Sequence, residues 1–272
     1  MKYIIIMLAL FLSVKTLHAQ QLLKTSLKDK KDKFVQITTI NTSIYVEGYD
    51  GDEIIIEPYH GVVIPKSIPG EALGFKNITA LTNRVNPGIS GKMKPSAFEL
   101  QQVINITVPE SNYKALSIKI PKNTHLKLQY VNQAPDITVS LNNLSGELEL
   151  NGAAYLTEIN NISGPLTLSS RSTLRSKIKI SNIKWKPTGL DKAKFLLYLS
   201  SPVNDFDIAI PEDLKATFEI SAGHGNIYSD LNLVRKFPES NSLNYFQGDL
   251  NGGGVNVVVI AEYGNVFIRK QK

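Results

Sequence analysis

Cysteine is absent from this chain of 272 residues. That excludes disulfides, thiolate-held metals and lipid attachment through cysteine. Histidine is scarce: His18, His60, His125 and His224 complete the set, and no two stand at a metal-binding spacing such as His-x-x-x-His. There is no Gly-x-Ser-x-Gly elbow. Gly88-Ile89-Ser90-Gly91-Lys92 is too short for a phosphate loop, and Met93 stands where such a loop requires Ser or Thr. No long segment shows helical periodicity. Beyond the N-terminus no apolar run approaches the ~20 residues of a membrane-spanning helix. From the sequence we therefore assign no catalytic residue, no metal ligand and no cofactor.

What is present is a short internal repeat. Asn142-Asn143-Leu144-Ser145-Gly146-Glu147-Leu148-Glu149-Leu150 recurs as Asn160-Asn161-Ile162-Ser163-Gly164-Pro165-Leu166-Thr167-Leu168. Each copy is a turn, a glycine and a strand alternating polar and aliphatic residues. Burying one such aliphatic side chain is worth roughly 1.5–3 kcal/mol. Ordering the backbone costs on the order of 1–2 kcal/mol per residue. A unit this short must therefore stack on a neighbour. The phase puts Leu148 and Leu150 inward, with Leu166 and Leu168 in the same places one coil later, and Glu147 and Glu149 outward. The expected fold is all-β: a right-handed parallel β-helix (β-solenoid) with short irregular coils and an inserted excursion.

The N-terminus has the character of an export signal. Lys2 supplies positive charge, Ile4 to Val14 is apolar apart from Ser13, and Leu17-His18-Ala19 resembles a cleavage site. Cleavage is expected between Ala19 and Gln20, with the mature chain in the periplasm, on the outer surface or outside the cell. Export takes nucleic acid off the list of expected partners. The formal net charge of +6 suits a soluble protein held off its isoelectric point.

The chain divides into the signal (1–19), a polar lysine-rich lead-in (20–33) and a single β domain (34–272). Strand patterning runs from Phe34 to Glu57, with a turn at Tyr49-Asp50-Gly51-Asp52. It resumes at Val103 and continues to Lys270, interrupted at Trp185 to Lys194. Residues 61–101 break the rhythm with Pro65, Pro69, Pro87, Pro95 and several glycines. A loop of that length has a task or structure of its own. Its basic residues Lys66, Lys76, Arg84, Lys92 and Lys94, with Phe75 and Phe98, form a candidate surface for an acidic glycan or a partner.

Three segments resemble the DUF4097 family of adhesin-like β-solenoid proteins and the related autotransporter adhesin heads. They are Ile44 to Ile54, Ile120-Pro121 with the Ser-Gly repeats after it, and the ending Gly252 to Lys270. In the last, Gly264-Asn265-Val266-Phe267-Ile268 looks like that family's last coil. The resemblance implies an exported right-handed β-helix with no catalytic residues to carry over. The exported form also looks like proteins of the Bacteroidetes.

Other residues invite chemistry. Asp205 and Asp207 flank Phe206 and share one strand face, as two carboxylates of a glycan hydrolase would need to. His224 lies between Gly223 and Gly225, where a turn residue tolerates a left-handed backbone. Asp50, Asp52 and Glu53 offer oxygens for Ca²⁺ but lack the spacing of a calcium loop. The expected function is non-enzymatic: an adhesin-like surface or envelope scaffold that binds an envelope glycan or envelope protein. The alternatives are a polysaccharide hydrolase or lyase, and an envelope sensor.

Overall fold

The computed structural model describes residues 23–28, 33–59, 96–100, 103–108, 115–131, 136–152, 154–171, 175–185, 195–236 and 244–272. Every regular element among them is a strand. The chain begins with β1 (Leu23–Ser26), β2 (Phe34–Ile40), β3 (Ser43–Tyr49), β4 (Glu53–Pro58), β5 (Ser96–Leu100), β6 (Val103–Val108) and β7 (Ala115–Pro121). It continues with β8 (His125–Val131), β9 (Thr138–Leu144), β10 (Leu148–Asn151), β11 (Leu156–Ile162), β12 (Leu166–Ser169), β13 (Lys177–Ser181) and β14 (Phe195–Ser201). It ends with β15 (Asp205–Ile210), β16 (Ala216–Ser221), β17 (Ile227–Ser229), β18 (Val234–Arg235), β19 (Tyr245–Leu250), β20 (Val255–Ala261) and β21 (Val266–Lys270).

These strands form two large, mostly parallel sheets. The first has 10 strands in the order β1-β4-β7-β3-β9-β11-β13-β15-β21-β17. The second has 11, in the order β18-β19-β16-β20-β14-β12-β10-β8-β2-β6-β5. From β7 to β17 successive strands alternate between the sheets, so a strand of the second sheet followed by one of the first makes a rung.

Alternating sequence explains why these segments are strands. In β10, Leu148 and Leu150 are buried while Glu149 and Asn151 are half-buried. Because side chains in a strand point alternately to opposite faces, parallel pairing in register lines the apolar ones into columns. One column of the second sheet reads Ile104–Val35–Leu126–Leu148–Leu166–Leu197–Val257–Phe218. All eight are buried. The inward residues of both sheets join in one apolar cluster.

Rungs do not stack in chain order at either end. β2–β3 lies between β6–β7 and β8–β9, and β20–β21 lies between β14–β15 and β16–β17. Both transpositions use the same device. Residues 50–52 carry the chain from β3 past β7 to β4, which runs antiparallel to β7. Residues 251–254 carry it from β19 past β16 to β20, with β19 antiparallel and β20 parallel to β16. Within the segment Gly252 to Lys270, β21 is therefore second from the end of the first sheet and β20 fourth from the end of the second.

The turns account for the repeated asparagines and glycines. Asn41, Asn143, Asn161, Asn182 and Asn251 all have positive φ, between 47° and 57°, a region asparagine tolerates better than most residues. Gly146 and Gly164 answer a different demand: a Cβ there would collide with the carbonyl oxygens of Thr124 and Gly146 respectively.

Two segments depart from expectation. The lead-in contributes β1, which pairs with β4 and is followed by buried Leu27. Its Leu-Lys-Thr-Ser pattern is too short to stand out from the surrounding lysines. Within the 61–101 segment, Ser96–Leu100 is already a strand, antiparallel to β6. The rest of that segment lies outside the described residues.

Leu148 sits between Leu126 and Leu166 at 0% exposure. Leu148→Ala is expected to cost about 2–5 kcal/mol. Glu149→Ala removes a partly exposed ion pair with Lys127 and a hydrogen bond from Asn151 and is expected to cost about 1 kcal/mol. Urea unfolding of both variants checks this, and equal losses would place Leu148 outside the core.

Candidate binding face

Register inside the stack imposes register outside it. On the first sheet, Glu47 pairs across the strands with Asn142, Asn142 with Asn160, and Asn160 with Ser181. Asn160 Nδ2 donates to Asn142 Oδ1 at 2.8 Å, and Asn142 Nδ2 donates to Glu47 Oε2 at 2.8 Å. Beside this row, Asn161 donates to Asn143 and Asn143 to the other Glu47 oxygen, Oε1. Ser181 and Asn182 extend the first row by donating to Asn160 Oδ1 at 3.1 and 2.5 Å. Two amide ladders thus converge on one carboxylate. Repetition of Asn-Asn signals the ladders, whereas Glu47 carries no sequence mark of its own.

Further along the same face the side chains are ionic. Lys179 lies 3.5 Å from Glu158. Asp207 receives Arg269 Nε at 2.7 Å and lies 3.6 Å from Lys177 Nζ. Asp205 receives the backbone N–H of Asn265 at 2.8 Å and Arg175 Nη2 at 3.2 Å. The structure does bring Asp205 and Asp207 onto one face, as their spacing predicts. It also commits both carboxylates to ion pairs, Asp205 with Arg175 and Asp207 with Lys177 and Arg269.

The end of this sheet is aromatic. Tyr228 stacks on Phe267 at 4.9 Å, and His224 stacks on Tyr263 at 4.7 Å. The Arg269 guanidinium lies over Phe267 at 5.1 Å. These ring separations match the spacing of neighbouring strands, about 4.7–4.9 Å. Pairing β17 with β21 puts Tyr228 opposite Phe267. Since β17 ends the sheet, the outer rings of both stacks belong to the terminal rung. Tyr228 is 49% exposed and Tyr263 55%. A second internal repeat underlies this arrangement: Ala222-Gly223-His224-Gly225-Asn226-Ile227-Tyr228 against Ala261-Glu262-Tyr263-Gly264-Asn265-Val266-Phe267. Self-comparison of the sequence at that offset would have found it.

At the far side of the first sheet Tyr45 stacks on Tyr59 at 3.8 Å. Burial, the neighbouring Tyr59 and the Glu158 charge push the Tyr45 hydroxyl above its ordinary value. On the second sheet the outward row through Lys127 and Glu149 reads Asn105–Gln36–Lys127–Glu149–Thr167–Tyr198–Val258–Glu219. Burial pushes Glu149 up, but hydrogen bonds from Lys127 and Asn151 and the Lys127 charge outweigh it and leave the carboxyl below its ordinary value of 4.5.

The remaining candidates fall apart as sites. Asp50 pairs with Lys122 at 2.5 Å and Glu53 with Lys24 at 2.8 Å, while the Asp52 carbonyl accepts the Leu27 N–H. The carboxylates of Asp50 and Glu53 are thus each paired with a different lysine rather than turned to one centre. His125 Nδ1 accepts the Glu147 N–H at 3.4 Å. Among the described residues no group of three or more His, Asp or Glu is placed to hold a metal. Ala19, Gln20, His60, Lys66, Lys76, Arg84, Lys92 and Lys94 lie outside the described residues. No helix among the described residues is long and apolar enough to cross a membrane.

No family model matches the chain, and neither does any curated protein. The crystal structure of a "putative cell adhesion protein" from Clostridium sporogenes ATCC 15579 aligns over 92% of this chain and 98% of its own. It does so at 9% identity with a TM-score of 0.35, a likeness that carries no argument for fold or function.

Glu47→Ala leaves the Asn142 and Asn143 amides without their shared acceptor. The expected loss is about 1.5–3 kcal/mol, the range for hydrogen bonds to a charged group. Glu47→Gln keeps one acceptor oxygen and should lose less. Urea midpoints of the two variants against the parent chain check the order.

Proposed function

We propose that this chain is an exported, non-enzymatic scaffold of the adhesin-like kind that holds an envelope glycan at the aromatic end of its first sheet. The alternation of strands between two parallel sheets supports winding as a right-handed β-helix with short irregular coils. The resemblance to the DUF4097 family belongs to the same reading. The signal-like start, with cleavage between Ala19 and Gln20, supports export. Terminal sequencing of protein recovered from its native envelope checks that claim: it should begin at Gln20, and a chain retaining Met1 would contradict it.

The observation that carries the binding reading is the pair of ring stacks at the terminal rung. A sugar ring has an apolar C–H face that stacks on an exposed aromatic ring, while its hydroxyls need polar neighbours. His224, Tyr228 and Tyr263 supply exposed rings; Arg269 and Asp207 stand beside them. The backbone beneath is held by pairing on β21, so the rings are ordered before any ligand arrives. The basic residues Lys66 to Lys94 are a second contact in this reading. The non-enzymatic part is supported by Asp205 and Asp207, whose oxygens are taken up by Arg175, Lys177, Arg269 and the Asn265 N–H.

Titration of the mature protein with acidic and neutral polysaccharides tests the proposal. Binding is expected, with Tyr228→Ala and Tyr263→Ala each weakening it while thermal unfolding stays near that of the parent. Unchanged affinity in both variants would remove the aromatic end as the site. New reducing ends or unsaturated products, abolished by Asp207→Asn, would overturn the non-enzymatic reading.

A further inference from the structure

Residues 255–270 occupy a slot that the rest of the chain builds without them. β20 lies between β14 and β16, and β21 between β15 and β17. All four walls precede the segment in sequence. Remove the segment and the slot presents two facing parallel edges in each sheet, lined inside by Leu197, Leu199, Phe206, Ile208, Phe218 and Ile220, each 0% exposed. Unpaired parallel edges beside apolar surface are templates for another strand. The segment fits because Val257, Val259, Ala261, Val266 and Ile268 continue the columns, all at 0% exposure.

In the native arrangement the segment reaches the slot through a short, tightly turned link. Asn251, Gly252 and Gly253 have φ of 52°, 81° and 81°. Gly254 passes so close to Lys215 that a Cβ would collide with its carbonyl oxygen. Val255 N donates to that same carbonyl at 3.1 Å. The Asn251 amide is pinned by the carbonyls of Glu212 at 2.7 Å and Leu214 at 3.0 Å. The link must turn in this way only to return the segment to its own slot. A more extended link would carry β20–β21 away from the molecule that made it.

From this geometry we infer that the slot also accepts the 255–270 segment of a second copy of this chain, giving exchanged dimers or longer chains of molecules. The buried contacts are the same in cis and in trans, so only the link and the protein concentration set the balance. Strain placed on so short a hinge favours exchange. An exchanged dimer carries two aromatic ends, which, on the proposed function, would raise its avidity for a surface.

The absence of cysteine gives a clean test on the full chain. Ser200 and Ile260 are Cα partners on β14 and β20, on the outward face and at a spacing a disulfide can bridge. Ser200→Cys and Ile260→Cys chains, made separately, are mixed unfolded, refolded together at rising concentration and oxidised. The proposal expects a disulfide-linked dimer whose yield rises with concentration. A pair of Ser169→Cys and Ile260→Cys chains, two strands apart, should give much less. Gly253→Ala, which strains the native link, should raise the dimer yield. A yield no higher than that of the Ser169→Cys pair at every concentration would overturn the proposal, provided circular dichroism shows both pairs refolded.

Discussion

The register between neighbouring parallel strands is the constraint on which everything else rests. Side chains alternate with a period of two, so a slip of one residue turns a whole strand inside out. At β10 a slip would drive Glu149 toward the core between Leu126 and Leu166 and expose Leu148. The aliphatic columns therefore lock the backbone, and the outer ladders follow without further instruction. Asn142 meets Asn160, and Tyr228 meets Phe267, because Leu141 meets Ile159 and Val266 meets Ile227 on the same strand pairs. What the protein offers to a ligand is the outward copy of its inward order.

A stack of parallel strands has two ends, and each end exposes unpaired backbone and core. This chain answers with antiparallel strands: β1, β4 and β5 at one end, β19 and β18 at the other. Among the described residues, only the first sheet at the β17 end stops on a parallel strand, of 3 residues. Short edge strands are poor templates for pairing. That end is also where the aromatic rings collect, so the least covered edge of the molecule and its candidate binding surface coincide.

Strand phase was legible residue by residue. The repeat placed Leu148 and Leu166 in one column, and they pair directly. Asp205 and Asp207 were correctly placed on one face, but their cations come from Arg175, Lys177 and Arg269, which no local pattern connects to them. Rung order was illegible for a related reason. Val257 would satisfy the column equally well at the end or one place in, because every rung offers the same aliphatic neighbours. The link decides: Gly252-Gly253-Gly254 reads locally as a strand opening, and only its left-handed φ values beside Lys215 reveal a crossing under β16. The stack of His224 on Tyr263 is invisible while His224 is read as a single turn residue rather than as one position of a repeat.

The transposed rungs are the central structural claim, and pairs of cysteines in a chain that has none test it most directly. Thr38 on β2 is the Cα partner of both Gln129 on β8 and Thr107 on β6. Oxidation of the monomer carrying Gln129→Cys with Thr38→Cys should form an internal disulfide. The monomer carrying Gln129→Cys with Thr107→Cys should not, because β2 separates those two strands. A disulfide in the second variant and none in the first would mean that the rungs stack in chain order.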